Sequence, residues 1–175
     1  MVKREPMSSS DSNLPAPSGS IFVRPGTIDE IFRLLPRIPE FAGSYPREEY
    51  HLRLTDTPHL ILLAEWKESI RHEGADSEDS LAGFKVGYEQ EDGIFYSWMG
   101  GVHSRYRRMG VGAMLADAQE AWAAENGYHT VRFKTWNRHK AMLCFALLRG
   151  FNILSVEPFP RLDDYRIILE KSLHK

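Results

Sequence analysis

A chain of 175 residues, 42% hydrophobic and 26% charged, is long enough to bury a sizeable core and ordinary enough in composition to be globular. Its formal net charge of -2 argues against bulk nucleic-acid binding, and its one cysteine, Cys144, rules out an internal disulfide framework. The longest apolar run, Leu60 to Ala64, is strand-sized, so no membrane partner is expected and the single thiol fits a cytoplasmic setting.

Residues 1–20 carry Lys3 and Arg4 without a following apolar stretch, then Ser8–Ser10, Pro15, Pro17 and Gly19. They read as a disordered leader, with one folded domain over 21–175. Ile21 to Arg24 is β-prone and ends at Pro25-Gly26. Thr27 and Glu30 have capping-box spacing, and Ile28, Ile31, Phe32 and Leu35 give a helical face that Pro36 stops. A second helix starts at Pro46, with Glu48 and Glu49 at its positive end. His59 to Trp66 reads as a buried strand, the charged 67–80 stretch as an exposed hairpin loop, and Leu81 to Glu89 as a strand alternating Phe84, Val86 and Tyr88 against Lys85, Gly87 and Glu89.

A turn at Glu91-Asp92-Gly93 leads into the strand Ile94 to His103. A helix follows, with Val111, Met114, Leu115, Ala118 and Trp122 inside and Asn126-Gly127 at its end. The remaining pattern is a strand at His129 to Trp136, a helix at Asn137 to Arg149, and strands at Phe151 to Val156 and Tyr165 to Leu173. The order β-α-α-β-β-β-α-β-α-β-β predicts an α/β domain with a mixed sheet and helices on both faces.

The segment Arg105-Tyr106-Arg107-Arg108-Met109-Gly110-Val111-Gly112 lies between a strand and a helix. A P-loop would need Gly-Lys-Ser or Gly-Lys-Thr, which is absent, and a dinucleotide fingerprint would need a small residue where Leu115 stands. What fits is an anion nest. The first amides of a helix point outward, bare glycines let a phosphate approach, and Arg107 or Arg108 adds charge. A plain tight turn would use the same glycines.

With its neighbours, this pattern resembles the GCN5-related N-acetyltransferase superfamily over roughly residues 21–173. Val102 to Gly112 resembles the family's strand and pyrophosphate loop, Arg/Gln-x-x-Gly-x-Gly/Ala. Asn137 to Phe151 resembles its second motif, an asparagine opening a helix that ends in Gly-Phe. The resemblance implies a mostly antiparallel central sheet of about seven strands with one splayed pair, here Ile94–His103 and His129–Trp136. It also implies acetyl-CoA as cosubstrate, an N-acetyltransferase acting on a primary amine of a small molecule or peptide, and a fold in which homodimers are common. The coenzyme would meet Gly101, Val102, His103, Arg107, Arg108, Met109, Gly110, Val111, Gly112, Ala113 and Asn137. Asn137 would also cap its helix.

Amides near Gly100 would polarise the acetyl carbonyl, a contact worth about 3 kcal/mol of barrier. The Gly100-Gly101 pair departs from the bulkier residues usual there, either making room for the acyl group or marking a β-bulge. Glu89 and Tyr96 are the candidate catalytic residues for deprotonating the amine. Phe41, Tyr45, Tyr88 and Trp98 are candidates for the acceptor wall. No metal site is read from the sequence.

Many relatives place a tyrosine, as the acid for the departing thiolate, four residues before the glycine of Gly-Phe. Counting back from Gly150 gives Ala146, and Cys144 reads as a core thiol. A coenzyme-binding sensor without efficient turnover is therefore the alternative reading, and an interaction module built on the charged 67–80 loop a third.

Overall fold

The computed structural model describes residues 19–68, 80–91 and 93–173. The leader expected at 1–20 and the hairpin loop expected at 67–80 therefore fall largely outside the described residues, as does Asp92. The elements are β1 (Gly19–Pro25), α1 (Ile28–Leu34), α2 (Arg47–Leu54), β2 (His59–Glu68), β3 (Leu81–Glu91), β4 (Ile94–Val102), α3 (Val111–Glu125), β5 (Thr130–Trp136), α4 (Lys140–Leu148), β6 (Asn152–Glu157) and β7 (Arg166–Ser172). One sheet of seven strands runs in the order β1-β2-β3-β4-β5-β7-β6. Every neighbouring pair is antiparallel except β4 and β5, so the architecture is the α/β mixed sheet expected.

Each face of the sheet has its own core. On one side α1 and α2 bury Ile31, Leu34, Tyr50 and Leu54 against Leu63, Phe84, Val86 and Met99. On the other, Val111, Leu115 and Ala123 of α3 and Ala146 of α4 pack with Phe95, Val131, Phe133, Phe151 and Leu169.

The capping box forms as its spacing predicts. Glu30 N–H donates to Thr27 Oγ1 at 3.3 Å, and Thr27 N–H donates to Glu30 Oε2 at 3.0 Å. Glu30 also accepts from Arg24 at 2.6 Å, and that guanidinium holds its carboxyl below the ordinary glutamate value of 4.5. A carboxyl depressed on folding stabilises the protein above the unfolded pKa, and that contribution is lost as pH falls. Glu30→Gln keeps the capping geometry and removes the charge. Urea melts should show it about 1 kcal/mol less stable at pH 7, the difference closing well below pH 4.5.

Three local expectations are corrected. The second-motif helix begins at Lys140 instead of Asn137, because residues 137–139 turn against the segment before β7: Asn137 N–H donates to Tyr165 O at 2.8 Å and Arg138 N–H to Asp163 O at 3.0 Å. Cys144 is exposed, because α4 is apolar nearly all round and turns only Ala146 fully inward. The Gly100-Gly101 pair is in regular register with Lys85 and Phe84, and the β4 irregularity falls at Trp98, between the pairs Gly87–Ser97 and Val86–Met99.

Candidate active site

β4 and β5 pair only through Ile94–Tyr96 and Thr130–Arg132. Beyond those residues the strands diverge, so from Ser97 to Val102 the β4 edge facing β5 has no strand partner. Backbone N–H and C=O groups left in this way form a template for an extended ligand with amides of its own.

The Arg105–Gly112 segment lies at the open end of this gap. Gly110 is the N-cap of α3 with φ 82°, and Arg108 takes φ 63°, so left-handed residues alternate with others as in an anion-binding nest. The first intrahelical bond runs from Met114 N–H to Gly110 O, which leaves the amides of Val111, Gly112 and Ala113 without helical acceptors. Val111 is 1% exposed and pins the first turn into the core, fixing those amides in place. A Cβ built on Gly110 would meet nothing within 4 Å, and one on Gly112 only Val102 Cγ2 at 3.8 Å. The glycines thus face open space, as a phosphate cradle requires. Arg108 and Met109 are exposed beside it.

Other residues expected at the coenzyme prove to have structural duties. Arg107 donates to Glu40 at 2.6 Å and to Val102 O at 3.3 Å, clamping the loop to the short turn Pro39–Phe41. Glu40 also receives its own backbone N–H, and together these hold its carboxyl below the usual range. Glu40 and His139 interact electrostatically, and burial lowers His139. Arg107, Glu40 and His139 thus bring the loop, the α1–α2 connection and the start of α4 together at the mouth of the gap. His103 Nδ1 accepts from Arg105 N–H at 3.0 Å and caps the turn Ser104–Tyr106. Asn137 does not cap α4; its amide donates to Leu162 O at 3.0 Å and accepts from Lys140 at 2.8 Å.

On the α1/α2 face, the expected acceptor residues do come together. Trp98 lies 5.4 Å from Tyr45 and 6.0 Å from Tyr88, and Tyr88 is 5.5 Å from Tyr96. Arg53, which the sequence reading did not single out, organises this wall. Its guanidinium sits 4.9 Å from the Trp98 ring centre, donates to Tyr88 Oη at 2.9 Å and pairs with Glu49 at 2.6 Å. Glu49 is therefore committed to Arg53. Across the gap, Arg166 stacks 3.6 Å from the Trp136 ring centre. Phe41 stands apart from the wall, packing 5.5 Å from Phe84 and against the bare face of Gly101. The room at Gly101 is filled by Phe41 and Ile38.

The two catalytic candidates separate. Glu89 lies on the α3 face in a shallow cavity with Pro58, His59, Trp122 and Tyr128, next to the C-terminal end of α3. It therefore opens on the face of the sheet opposite the Tyr45–Tyr88–Tyr96–Trp98 wall, and its position does not support it as the base. Tyr96 does face the acceptor wall. Burial pushes its phenol up to about 12, so at neutral pH it is a protonated hydrogen-bonding group and not a base.

Comparison with known proteins places this geometry. Residues 28–151 match the model of the acetyltransferase (GNAT) family. No curated protein matches the chain. Among solved structures, the ribosomal-protein-S18-alanine N-acetyltransferase of Escherichia coli superposes with a TM-score of 0.70 at 13% identity, covering 89% of this chain and 96% of that one. Ard1 of Thermoplasma volcanium gives 0.67 at 19% identity, covering 89% and 99%. An aminoglycoside 6'-N-acetyltransferase complexed with coenzyme A gives 0.66 at 17% identity, covering 88% and 98%.

Proposed function

The chain belongs to the acetyltransferase (GNAT) family, and from that premise we propose that it moves an acetyl group from acetyl-CoA to a primary amine by direct attack. The observation that carries this reading is the nest of unbonded α3 amides at the open end of a gap whose β4 edge is unpaired. The fit to acetyl-CoA is chemical. The nest suits a pyrophosphate, and the β4 edge suits a chain of amides.

Bound acetyl-CoA supplies an acetyl group activated as a thioester. The amides of Val111, Gly112 and Ala113 hold the pyrophosphate, with Arg108 adding charge at the rim. The backbone of Gly101 and Val102 pairs with the coenzyme's extended arm, and an amide near Gly100 polarises the carbonyl. The Tyr45–Tyr88–Tyr96–Trp98 wall excludes water on the acceptor side. The Arg53 guanidinium held against this wall disfavours a second cation beside it, which helps deliver the amine in its neutral, attacking form. In this reading the acceptor is a small-molecule or peptide amine and the protein works in the cytoplasm; among the described residues, no helix is long and apolar enough to cross a membrane.

Ala146, buried at the position where the resemblance implies an acidic hydroxyl, favours a second reading, a coenzyme-binding sensor with little turnover. Calorimetry with acetyl-CoA, followed by thiol release against a panel of amines, separates the two. Binding with amine-stimulated release is expected. Binding with only slow, amine-independent hydrolysis would favour the sensor, and no heat on titration would overturn both readings.

A further inference from the structure

Behind the gap, on the α3/α4 face, lies a cavity of about 20 Å³ lined by Lys85 of β3, Gln119 and Glu120 of α3, and Ala146 and Arg149 of α4, with Val131 and Phe133 of β5 closing it. That volume holds a single water-sized group. Its polar groups are not matched to one another. Gln119 is 0% exposed, yet neither its amide nitrogen nor its amide oxygen has a partner. Lys85 makes no hydrogen bond or ion pair with the described residues. Its charged neighbours are engaged elsewhere: Glu120 takes Arg149 at 3.1 Å and Lys171 at 2.6 Å, and Arg149 also takes Asp117. A half-buried lysine without a partner and a fully buried amide, both open on one small cavity, point to a ligand atom that completes them.

Two small residues give Lys85 its course. It pairs in register with Gly100, and a Cβ on Gly100 would sit 3.4 Å from Lys85 Cγ, so a longer side chain there would contest the path of the lysine under β4. At the far end Ala146 is 1% exposed and presents only a methyl group to the cavity. The family resemblance implies bulkier side chains at Gly100 and Ala146, and Lys85 lies beside the first and shares the cavity with the second.

We propose that Lys85 is the proton donor to the departing coenzyme sulfur, entering from β3 the place that a tyrosine on α4 would otherwise hold. This rests on the acetyltransferase reading above. As the amine nitrogen bonds to the acetyl carbon, the carbon–sulfur bond breaks with its electron pair on sulfur. The Lys85 ammonium gives that sulfur a proton. Lys85 then regains a proton from solvent, which has received the one lost by the attacking nitrogen. Desolvation lowers Lys85 from 10.5 to about 8, with Glu120 opposing the shift and Arg149 adding to it, so near neutrality the ammonium is populated and ready to release its proton.

The first measurement does not depend on turnover. Free coenzyme A is bound to the wild type and to Lys85→Met, and the ionisation of its thiol is followed across pH by the thiolate ultraviolet band. In the wild type the bound thiol should ionise at least about tenfold more readily than in the variant. Turnover is then read with hydroxylamine, a nucleophile already neutral near pH 7. Lys85→Met should lower kcat on the order of 100-fold with KM for acetyl-CoA unchanged. The wild type should show a fall in kcat above about pH 8, and the variant should lack it.

Adding Ala146→Tyr to Lys85→Met should restore part of kcat. If Lys85→Met does not fold, Lys85→Arg replaces it, keeping the charge but holding its proton; it should retain the thiol shift and lose turnover. Equal thiol ionisation in wild type and variant, or an unchanged kcat, overturns the role of Lys85 while acetyl transfer stands. Failure of the wild type to bind coenzyme A overturns acetyl transfer itself.

Discussion

Gly112→Glu should weaken coenzyme A binding on the order of 1,000-fold while leaving the free protein as stable as the wild type, or slightly more so. The two effects have opposite signs for separate reasons. Gly112 is the second residue of α3, and its added Cβ meets only Val102 Cγ2 at 3.8 Å, so the fold accepts a side chain there. Replacing glycine inside a helix is favourable by up to about 1 kcal/mol, and a carboxylate in the first turn suits the helix dipole. The same carboxylate stands over the nest amides, where it occupies their donors and repels a pyrophosphate. Charge-assisted hydrogen bonds are worth about 1.5–3 kcal/mol each, so losing two accounts for a thousandfold.

Gly110 would be a poorer probe. Its φ of 82° makes any other residue strain the backbone, and lost binding would be confounded with lost structure. Thermal melts of free Gly112→Glu and calorimetry with coenzyme A check both halves. Unchanged affinity in a well-folded variant would mean that the coenzyme sits elsewhere.

What the sequence made legible is what local chemistry decides. Thr27 and Glu30 announced a helix start through a contact spanning three residues. The alternation around Phe84 and Val86 announced a strand, and glycines after a strand announced the nest. What it hid depends on partners far along the chain. The Arg107 clamp on Glu40 was hidden because nothing nearby reveals Glu40, 67 residues away. Arg53 was passed over because the aromatic rings that hold it come from β3, β4 and the loop before α2.

The misreadings share a cause as well. In the pattern of β3, Lys85 and Glu89 belong to the polar half of an alternating strand. Helices cover both faces of this sheet, so the polar half of the alternation is also packed. Beside the middle of α3 it lies over the cavity with Gln119, and past the end of α3 it meets Tyr128. Cys144 was misplaced for the opposite reason. The α4 sequence Lys140-Ala-Met-Leu-Cys-Phe-Ala-Leu-Leu148 is apolar on nearly every side, so periodicity gives no direction, and the packing of Ala146 decides which side turns inward.

Gly101→Val tests the other glycine of the pair, and its effect should be on stability first. A Cβ at Gly101 would come within 2.6 Å of Phe41 Cε2 and 3.1 Å of Ile38 Cδ1. The pairing of Gly101 with Phe84 of β3 resists retreat of the backbone. Phe41 must therefore swing away, giving up its contact with Phe84, which is 0% exposed. Overpacking of this kind costs about 1–3 kcal/mol, read as a lower urea midpoint with an unchanged slope.

The displacement should then reach the site. Phe41 and Glu40 share one short turn, so moving the ring pulls Glu40 from Arg107 and releases the clamp on the coenzyme loop. The signature that separates this account from general damage is coupling. With Phe41→Ala in place the closest conflict is gone and only Ile38 remains, so Gly101→Val should cost at least about 1 kcal/mol less than it does in the wild type. Strict additivity of the two substitutions would mean that Gly101 is small for the coenzyme's sake and not for Phe41.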